Sequence, residues 1–223
     1  MIVAEKLLAP VSQNDSAPDV FEHSVVLHEV AWETYLSLRL EEDNNHLNMT
    51  YDRGVLEIIS PSRKHARVSG VIAWMICEWA LARQVKIELG GDTTFSRKEL
   101  ERGLEADHCY WISRYSAVHG KDEIDLTVDP PPDLALEIEV SRSAVPKLPI
   151  YESLRVPEVW RWHKGALTVL ALNAESKYVQ QTDSIALPGF PFWLVEDLLT
   201  RREHEDDSAL MLQFRQAIAD LPN

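Results

Sequence analysis

The spacing of apolar and polar residues predicts two helices and a hairpin in the first part of the chain. Apolar residues at 30–40 recur at helical spacing, and those at 68–81 form a broad apolar stripe that follows a helix-opening Ser-Pro-Ser. Between them, residues 46–51 and 55–59 are strand-like and are joined by Asp-Arg-Gly, a hairpin turn signal. We therefore expect an N-terminal helix, a β-hairpin and a long helix, in that order.

Shorter strands dominate the next part of the pattern. They are predicted at residues 85–89, 93–95, 107–112, 134–140, 159–162 and 167–172. A charged loop is expected to reach Glu105, and a helix at 145–154 is confined by Pro146 and Pro149 to the residues beyond them. One or two helices fall within 196–220. This order predicts an α/β fold in which helices flank a central mixed β-sheet.

Two glutamates interrupt the apolar strand at 134–140. Because side chains alternate between the faces of a strand, Glu137 and Glu139 point the same way, and the apolar residues between them point the other way. The sequence beyond the strand is again apolar, which predicts a central position in the sheet. Two buried acids repel each other and resist desolvation, so a divalent cation would stabilise them.

Length and composition indicate an ordinary globular protein. The 223 residues are 45% hydrophobic and 26% charged. We expect an extended arm at 1–24, one domain at 25–200 and a C-terminal helix at 201–223. No apolar run approaches the roughly 20 residues of a membrane span, and the first residues lack the features of a secretory signal. With two cysteines and no disulfide framework, a cytoplasmic location is predicted.

The net charge of −14 argues against nucleic-acid binding by bulk electrostatics, because phosphate binding needs a basic surface. Local basic clusters remain: Arg63, Lys64 and Arg67, and Arg97, Lys98 and Arg102. Either cluster could bind a phosphate or could simply be a solvated face.

Carboxylates carry the candidate chemistry, since the sequence contains no Walker A loop, GxGxxG, HExxH, CxxC or GxSxG motif. The candidates that lie in strands are Glu57, Asp107, Glu137 and Glu139. Hard oxygen ligands of this kind suit Mg²⁺ or Mn²⁺, which can activate water against a phosphodiester. Lys147, which follows in the predicted helix, could orient that water or offset charge in the transition state.

Each candidate also has a structural interpretation. Glu137 or Glu139 could pair with Arg142 or Arg161, and Asp107 could be a turn residue at the start of its strand. Three further residues could be solvent-facing or locally packed: Glu57, Lys147 and His65.

Five stretches of the chain, taken in order, resemble the Uma2 family, also called DUF820. They are residues 54–62 with His65, 105–107, 131–141, 148–151 and 156–160. The resemblance covers about residues 28–200. It implies a restriction-endonuclease-like core of the PD-(D/E)xK superfamily, with a central mixed sheet flanked by helices, and Mg²⁺-dependent hydrolysis of phosphodiesters.

The same resemblance implies roles for individual residues. Asp107 and Glu137 would be metal ligands, Glu139 would lie in or beside the site, Glu57 would be an additional acid and Lys147 a displaced lysine. The chain departs from the motif in three places. Ala106 stands where proline is expected, Glu139 stands at the lysine position of ExK, and Ala66 follows His65 where close relatives carry an acid.

The sequence therefore leads to two hypotheses. The first is a Mg²⁺- or Mn²⁺-dependent endonuclease that acts on DNA, with a metal held by Asp107, Glu137 and Glu139. Nucleases that cut both strands are often dimers, and the apolar stretch at 187–194 could pack internally or form a contact between two copies, so a homodimer is expected. The second is a catalytically impaired binding module that keeps the nuclease fold. The −14 charge and the missing ExK lysine favour the second.

Overall fold

Two β-sheets and six α-helices make up the part of the chain that the computed structural model describes, residues 22–141 and 143–221. The strands are β1 His23–Leu27, β2 Asn48–Asp52, β3 Val55–Ser60, β4 Glu88–Gly91, β5 Thr94–Arg97, β6 Arg102–Glu105, β7 His108–Trp111, β8 Leu134–Glu139, β9 Glu158–His163, β10 Ala166–Leu172 and β11 Tyr178–Gln181. The helices are α1 Trp32–Leu40, α2 Arg63–Ala82, α3 Tyr115–Val118, α4 Leu148–Leu154, α5 Phe192–Thr200 and α6 Asp207–Ala219.

The first sheet contains the predicted hairpin. Its order is β1-β3-β2-β6-β5, and every pairing is antiparallel. The hairpin turn has positive φ angles at Arg53 (46°) and Gly54 (90°), which is the conformation that a two-residue turn of type I′ needs. Helix α1 packs on this sheet through Tyr35, whose ring stacks on Tyr51 with centroids 4.9 Å apart. The predicted helix and hairpin are thus confirmed.

The second sheet is mixed, as the sequence predicts. Its order is β11-β10-β9-β8-β7-β4, and β8 and β9 are the parallel pair. Strand β8 lies between β7 and β9, which confirms its central position. Its Leu136 and Ile138 pack in a core with α2, α5 and α6, while Ala135 belongs to a second core that includes residues of α4. Helices therefore flank both faces of this sheet, and the predicted α/β class is confirmed.

Several elements differ from the predicted pattern. The charged loop expected up to Glu105 is wrong for residues 102–105, which form β6. Strand β1 was not predicted, although it pairs with β3 along its whole length. Helix α1 begins at Trp32, two residues after the start of the helical spacing at 30–40. Residues 1–21 of the expected arm lie outside the described residues.

The apolar stretch at 187–194 packs mainly inside the protein. Leu187, Phe190 and Leu194 belong to the core of α2, α5 and α6, whereas Trp193 is 62% exposed. Within the described residues, no helix combines the length and the apolar character needed to cross a membrane.

Candidate active site

The pairing of β7 with β8 brings Asp107 and Glu137 together. His108 pairs with Leu136 in the antiparallel register, and one step beyond this register Asp107 lies beside Glu137. The backbone N–H of Ile138 donates to Asp107 Oδ2 at 2.6 Å. Both acids are buried, with residue exposures of 8% for Asp107 and 7% for Glu137. Asp107 precedes β7 and Glu137 lies near the end of β8. Because these strands are antiparallel, the two carboxylates meet at one end of the strand pair although they are distant in the sequence.

Lys147 reaches Glu137 from the residue just before α4. Its Nζ donates to Glu137 Oε2 at 2.6 Å and to the carbonyl oxygen of Glu105 at 3.4 Å. One turn further along, the hydroxyl of Tyr151 donates to Glu137 Oε1. Lysine and tyrosine side chains four positions apart lie on one side of a helical turn, so they can bind the two oxygens of one carboxylate.

His65 holds Asp107 from the first turn of α2. The helix is capped by Ser62, whose hydroxyl accepts from the N–H of His65 at 3.1 Å. The ring places Nε2 at 2.9 Å from Asp107 Oδ1 and Nδ1 at 3.0 Å from Glu22 Oε1. Glu22 in turn accepts from the hydroxyl of Ser141 at 3.0 Å. A continuous chain of polar groups therefore runs from Glu22 through His65 to Asp107.

Burial and neighbouring charge set the pKa values of these groups. Burial raises the pKa of Glu137 to about 7; the charge of Asp107 adds to this rise and Lys147 opposes it. Burial would also raise the pKa of Asp107, but Lys147 and His65 outweigh it and hold that pKa below its usual value. Burial would lower the pKa of His65, but Asp107 and Glu22 raise it to about 9. The site therefore favours an ionised Asp107 beside a protonated His65.

The pKa of Lys147 is raised above its usual value. Burial alone would lower it, but the carboxylates of Glu137 and Asp107 overcome this effect. With its side chain 17% exposed, Lys147 is thus a largely buried ammonium group that is compensated by two acids. Lys147 is therefore not the solvent-facing lysine of the alternative interpretation.

Glu57 is fully buried and contacts the segment that leads to Lys147. It accepts hydrogen bonds from the hydroxyl of Ser143, from the N–H of Ala144 at 2.9 Å and from the N–H of Val145 at 3.1 Å. Its exposure is 1%, so it is not the solvent-facing hairpin residue of the alternative interpretation. Its carboxylate joins β3 to the chain between β8 and α4.

Glu139 faces two basic side chains of β9. Its Oε2 lies 3.6 Å from His163 Nδ1 and 3.8 Å from Arg161 Nε, and its side chain is 28% exposed. This agrees with the alternative in which Arg161 is its partner. Arg142 lies outside the described residues. The structure thus brings together Asp107, Glu137 and Lys147, while Glu57 and Glu139 contact other groups.

The donor set fits a hard divalent cation bound by two carboxylates. Within the described residues, no group of three His, Cys, Asp or Glu side chains is arranged to hold a metal ion. Mg²⁺ in proteins commonly uses one or two carboxylates and takes its remaining ligands from water and substrate phosphate. Each carboxylate oxygen has two lone pairs, so Asp107 and Glu137 keep acceptor capacity beyond their present hydrogen bonds.

Three residues that contact the acidic cluster or its partners have no role assigned from the sequence. Tyr151 carried a signal, because it stands one helical turn after Lys147. The sequence places Glu105 at the end of a charged loop and assigns it no role, yet its carbonyl accepts from Lys147, and its carboxylate accepts from the N–H of Met49 at 3.2 Å. Glu22 carried no signal, since its contact with His65 depends on how the chain before β1 approaches α2.

Comparison with known proteins identifies one family. The model of the family Uma2, described as "Putative restriction endonuclease", matches residues 32–200. No functionally curated protein gives a significant match to this chain.

Proposed function

The chain belongs to the Uma2 family, and from this premise we propose that it is a Mg²⁺-dependent endonuclease that hydrolyses phosphodiester bonds of DNA. One observation carries the proposal: Asp107, Glu137 and Lys147 come from three separate stretches and form a single buried cluster. A carboxylate pair with an adjacent ammonium group is a suitable arrangement for phosphodiester hydrolysis assisted by a metal.

In this proposal Asp107 and Glu137 hold the metal ion, either Mg²⁺ or Mn²⁺. When bound, such an ion polarises the phosphodiester and lowers the pKa of a water molecule. Asp107 is kept ionised and oriented by His65 and by the N–H of Ile138. Tyr151 orients the carboxylate of Glu137.

Lys147 supplies the positive charge that the ExK motif would place two residues after the glutamate. Its ammonium group is within reach of Glu137 Oε2, so it can orient a water molecule beside that carboxylate or offset charge that develops on the phosphate. Glu57 supports this arrangement by holding residues 143–145, which precede Lys147.

Plasmid cleavage tests the proposal. Supercoiled DNA is incubated with wild-type protein in Mg²⁺ or Mn²⁺ and, in parallel, with the double variant Asp107→Asn, Glu137→Gln, prepared in the same way. We expect nicking or linearisation by the wild type alone. Equal cutting by both preparations would show a contaminating nuclease and remove the enzyme proposal.

The second candidate function is a nuclease-fold protein that binds a partner without catalysis. Both oxygens of Glu137 are engaged by Lys147 and Tyr151, and its raised pKa of about 7 weakens it as a metal ligand. Metal binding that does not depend on Asp107 and Glu137, together with inactive wild-type protein, would favour this candidate.

Assembly and location complete the proposal. Nucleases that cut both strands of a duplex are often dimers, which supports a homodimer. The two cysteines, Cys77 and Cys109, are free, in keeping with a cytoplasmic location. The division into an arm at 1–24, a domain at 25–200 and a C-terminal helix at 201–223 stays a prediction.

A further inference from the structure

Basic side chains line the strand beside the acidic cluster. Strand β9 runs parallel to β8, and its register places Arg161 next to Glu137 and His163 next to Glu139. Val159 packs in the core that includes residues of α4, whereas Trp160 and Trp162 pack in the opposite core. Because side chains alternate along a strand, Arg161 and His163 lie on the same face as Val159, the face towards α4. Neighbouring strands lie about 4.8 Å apart, so these residues are immediate neighbours of the acids.

These basic side chains are open to solvent, although Glu137 beside Arg161 is buried. Arg161 is 41% exposed and His163 is 38% exposed. The turn between β9 and β10 adds Lys164, which is exposed and has a φ of 49°. The end of β9 thus places Arg161 and His163 at the border between the buried cluster and solvent, and Lys164 adds a third basic residue in the adjoining turn.

We propose that Arg161, His163 and Lys164 form a subsite that binds a backbone phosphate of DNA close to the bond that is cut. The inference rests on the proposed function and adds the place at which the substrate strand is held. A protein with a net charge of −14 repels a polyanion over most of its surface, so binding needs a local group of basic residues. The planar guanidinium of arginine can donate two parallel hydrogen bonds to a phosphate.

Glu139 competes with phosphate for the basic side chains of this subsite. In the free protein its carboxylate lies within 4 Å of both Arg161 and His163 and partly neutralises the guanidinium of Arg161. A phosphate that binds these side chains must compete with it. Glu139 therefore weakens binding to DNA, and it acts at the subsite instead of holding the metal ion.

DNA binding in the absence of divalent metal tests the subsite. Fluorescence anisotropy with a labelled DNA duplex in EDTA gives the Kd of the full chain without cleavage. The variants are Arg161→Gln, His163→Gln, Lys164→Gln and Glu139→Gln. The matched control is Arg215→Gln, because Arg215 of α6 also pairs with an acid, Glu78, and lies in a helix packed on the other face of the second sheet.

We expect the loss of Arg161 or Lys164 to raise Kd about eightfold at 0.1 M salt and to reduce the salt slope by about one, as for one lost phosphate contact. His163→Gln should raise Kd by less, because the glutamine amide can still donate a hydrogen bond to the phosphate. Glu139→Gln should lower Kd, and Arg215→Gln should leave it unchanged. In cleavage assays Arg161→Gln should raise KM and leave kcat near the wild-type value.

Two outcomes overturn the subsite: wild-type protein that does not bind duplex DNA, or Arg161 and Lys164 variants whose Kd equals that of Arg215→Gln. Weaker metal binding by Glu139→Gln, with unchanged DNA binding, would overturn the part given to Glu139. Failure of the proposed function gives a different result, namely DNA binding through Arg161 and Lys164 by a wild-type protein that does not cut.

Discussion

Each of the two buried acids has its own basic partner. Asp107 is paired with His65 at 2.9 Å, and Glu137 is paired with Lys147 at 2.6 Å. Removing one member of a buried ion pair is costly, because it leaves the other charge without compensation. Substitutions of His65 and Lys147 therefore test whether Asp107 and Glu137 are charged and buried in the folded protein.

Lys147→Met is predicted to abolish cleavage and to destabilise the protein. The buried carboxylate of Glu137 loses its counter-ion, so unfolding in urea should show a loss of about 3 kcal/mol, the lower end for a broken buried pair. The matched control is Lys177→Met, since Lys177 pairs with Glu152 and is 68% exposed. It should cost less than about 1 kcal/mol. Equal losses in the two variants would contradict the buried pair.

His65 is predicted to make stability depend on pH between 6.5 and 9. Its pKa is raised from 6.5 to about 9 in the folded protein, so its ion pairs contribute fully below pH 6.5 and are lost as the pH rises to 9. The difference in unfolding free energy between wild type and His65→Gln should shrink by up to about 3 kcal/mol over that window, at about 1.4 kcal/mol per pKa unit.

Urea unfolding at a series of pH values measures this effect. His119→Gln is the control, because His119 also lies 2.9 Å from an acid, Glu88, but is 72% exposed. A wild-type advantage over His65→Gln that stays constant from pH 6.5 to pH 9 would contradict the charged pairs of His65.

At the scale of residues, the sequence identifies those site residues whose position depends on the alternation of side chains along a strand. Glu137 stood out as a carboxylate in an apolar strand, and Asp107 stood at the start of another. The partners of Glu57 were not readable, because they lie in a loop at 143–145. Arg161 was one of two candidate partners of Glu139, and only the register of β9 against β8 selects it. A sequence pattern fixes the face of a strand but not the neighbour of that strand.

At the scale of elements, Glu57 links the first sheet to the site. It lies in β3 and binds the segment between β8 and α4. Glu57→Gln replaces one acceptor oxygen with a donor group that faces other donors. We expect a loss of about 1–3 kcal/mol in unfolding free energy, typical of an unsatisfied buried group. Cleavage should also fall, since the segment that positions Lys147 is released.

Glu196→Gln is the control for this variant. Glu196 also accepts from a backbone N–H, that of Leu167 at 2.8 Å, but it lies in α5, in contact with β10. It should lower stability without a change in kcat. A Glu57 variant with wild-type cleavage would contradict the link between Glu57 and Lys147.

Long elements were easier to predict than short ones. Helix α2 shows an apolar stripe over its length and a Ser62 cap, and both are visible in the sequence. Strand β6 is Arg-Gly-Leu-Glu, and strand β1 leaves Val25 and Leu27 exposed. Strands β1 and β6 form because the neighbouring strands β2, β3 and β5 offer them backbone hydrogen bonds. The residues of β1 and β6 alone do not show that these neighbours are present.

At the scale of the whole molecule, a homodimer is predicted. One chain has a mass of 25.4 kDa, and its described residues contribute the acidic cluster of Asp107 and Glu137. Light scattering coupled to gel filtration should give about twice the mass of the chain, as expected for C₂ assembly. A monomer mass at the concentrations used for cleavage would contradict the dimer, and it would predict nicking of plasmid in place of double-strand cuts.

The most direct test of the central claim is titration of Mn²⁺ into the protein by calorimetry. The claim is that Asp107 and Glu137 together form one site for a divalent metal. The account predicts saturable binding of about one ion per chain to the wild type, with proton release because a metal ligand must be deprotonated. It also predicts no such binding to the Asp107→Asn, Glu137→Gln variant. Equal binding isotherms for the two proteins would contradict the account.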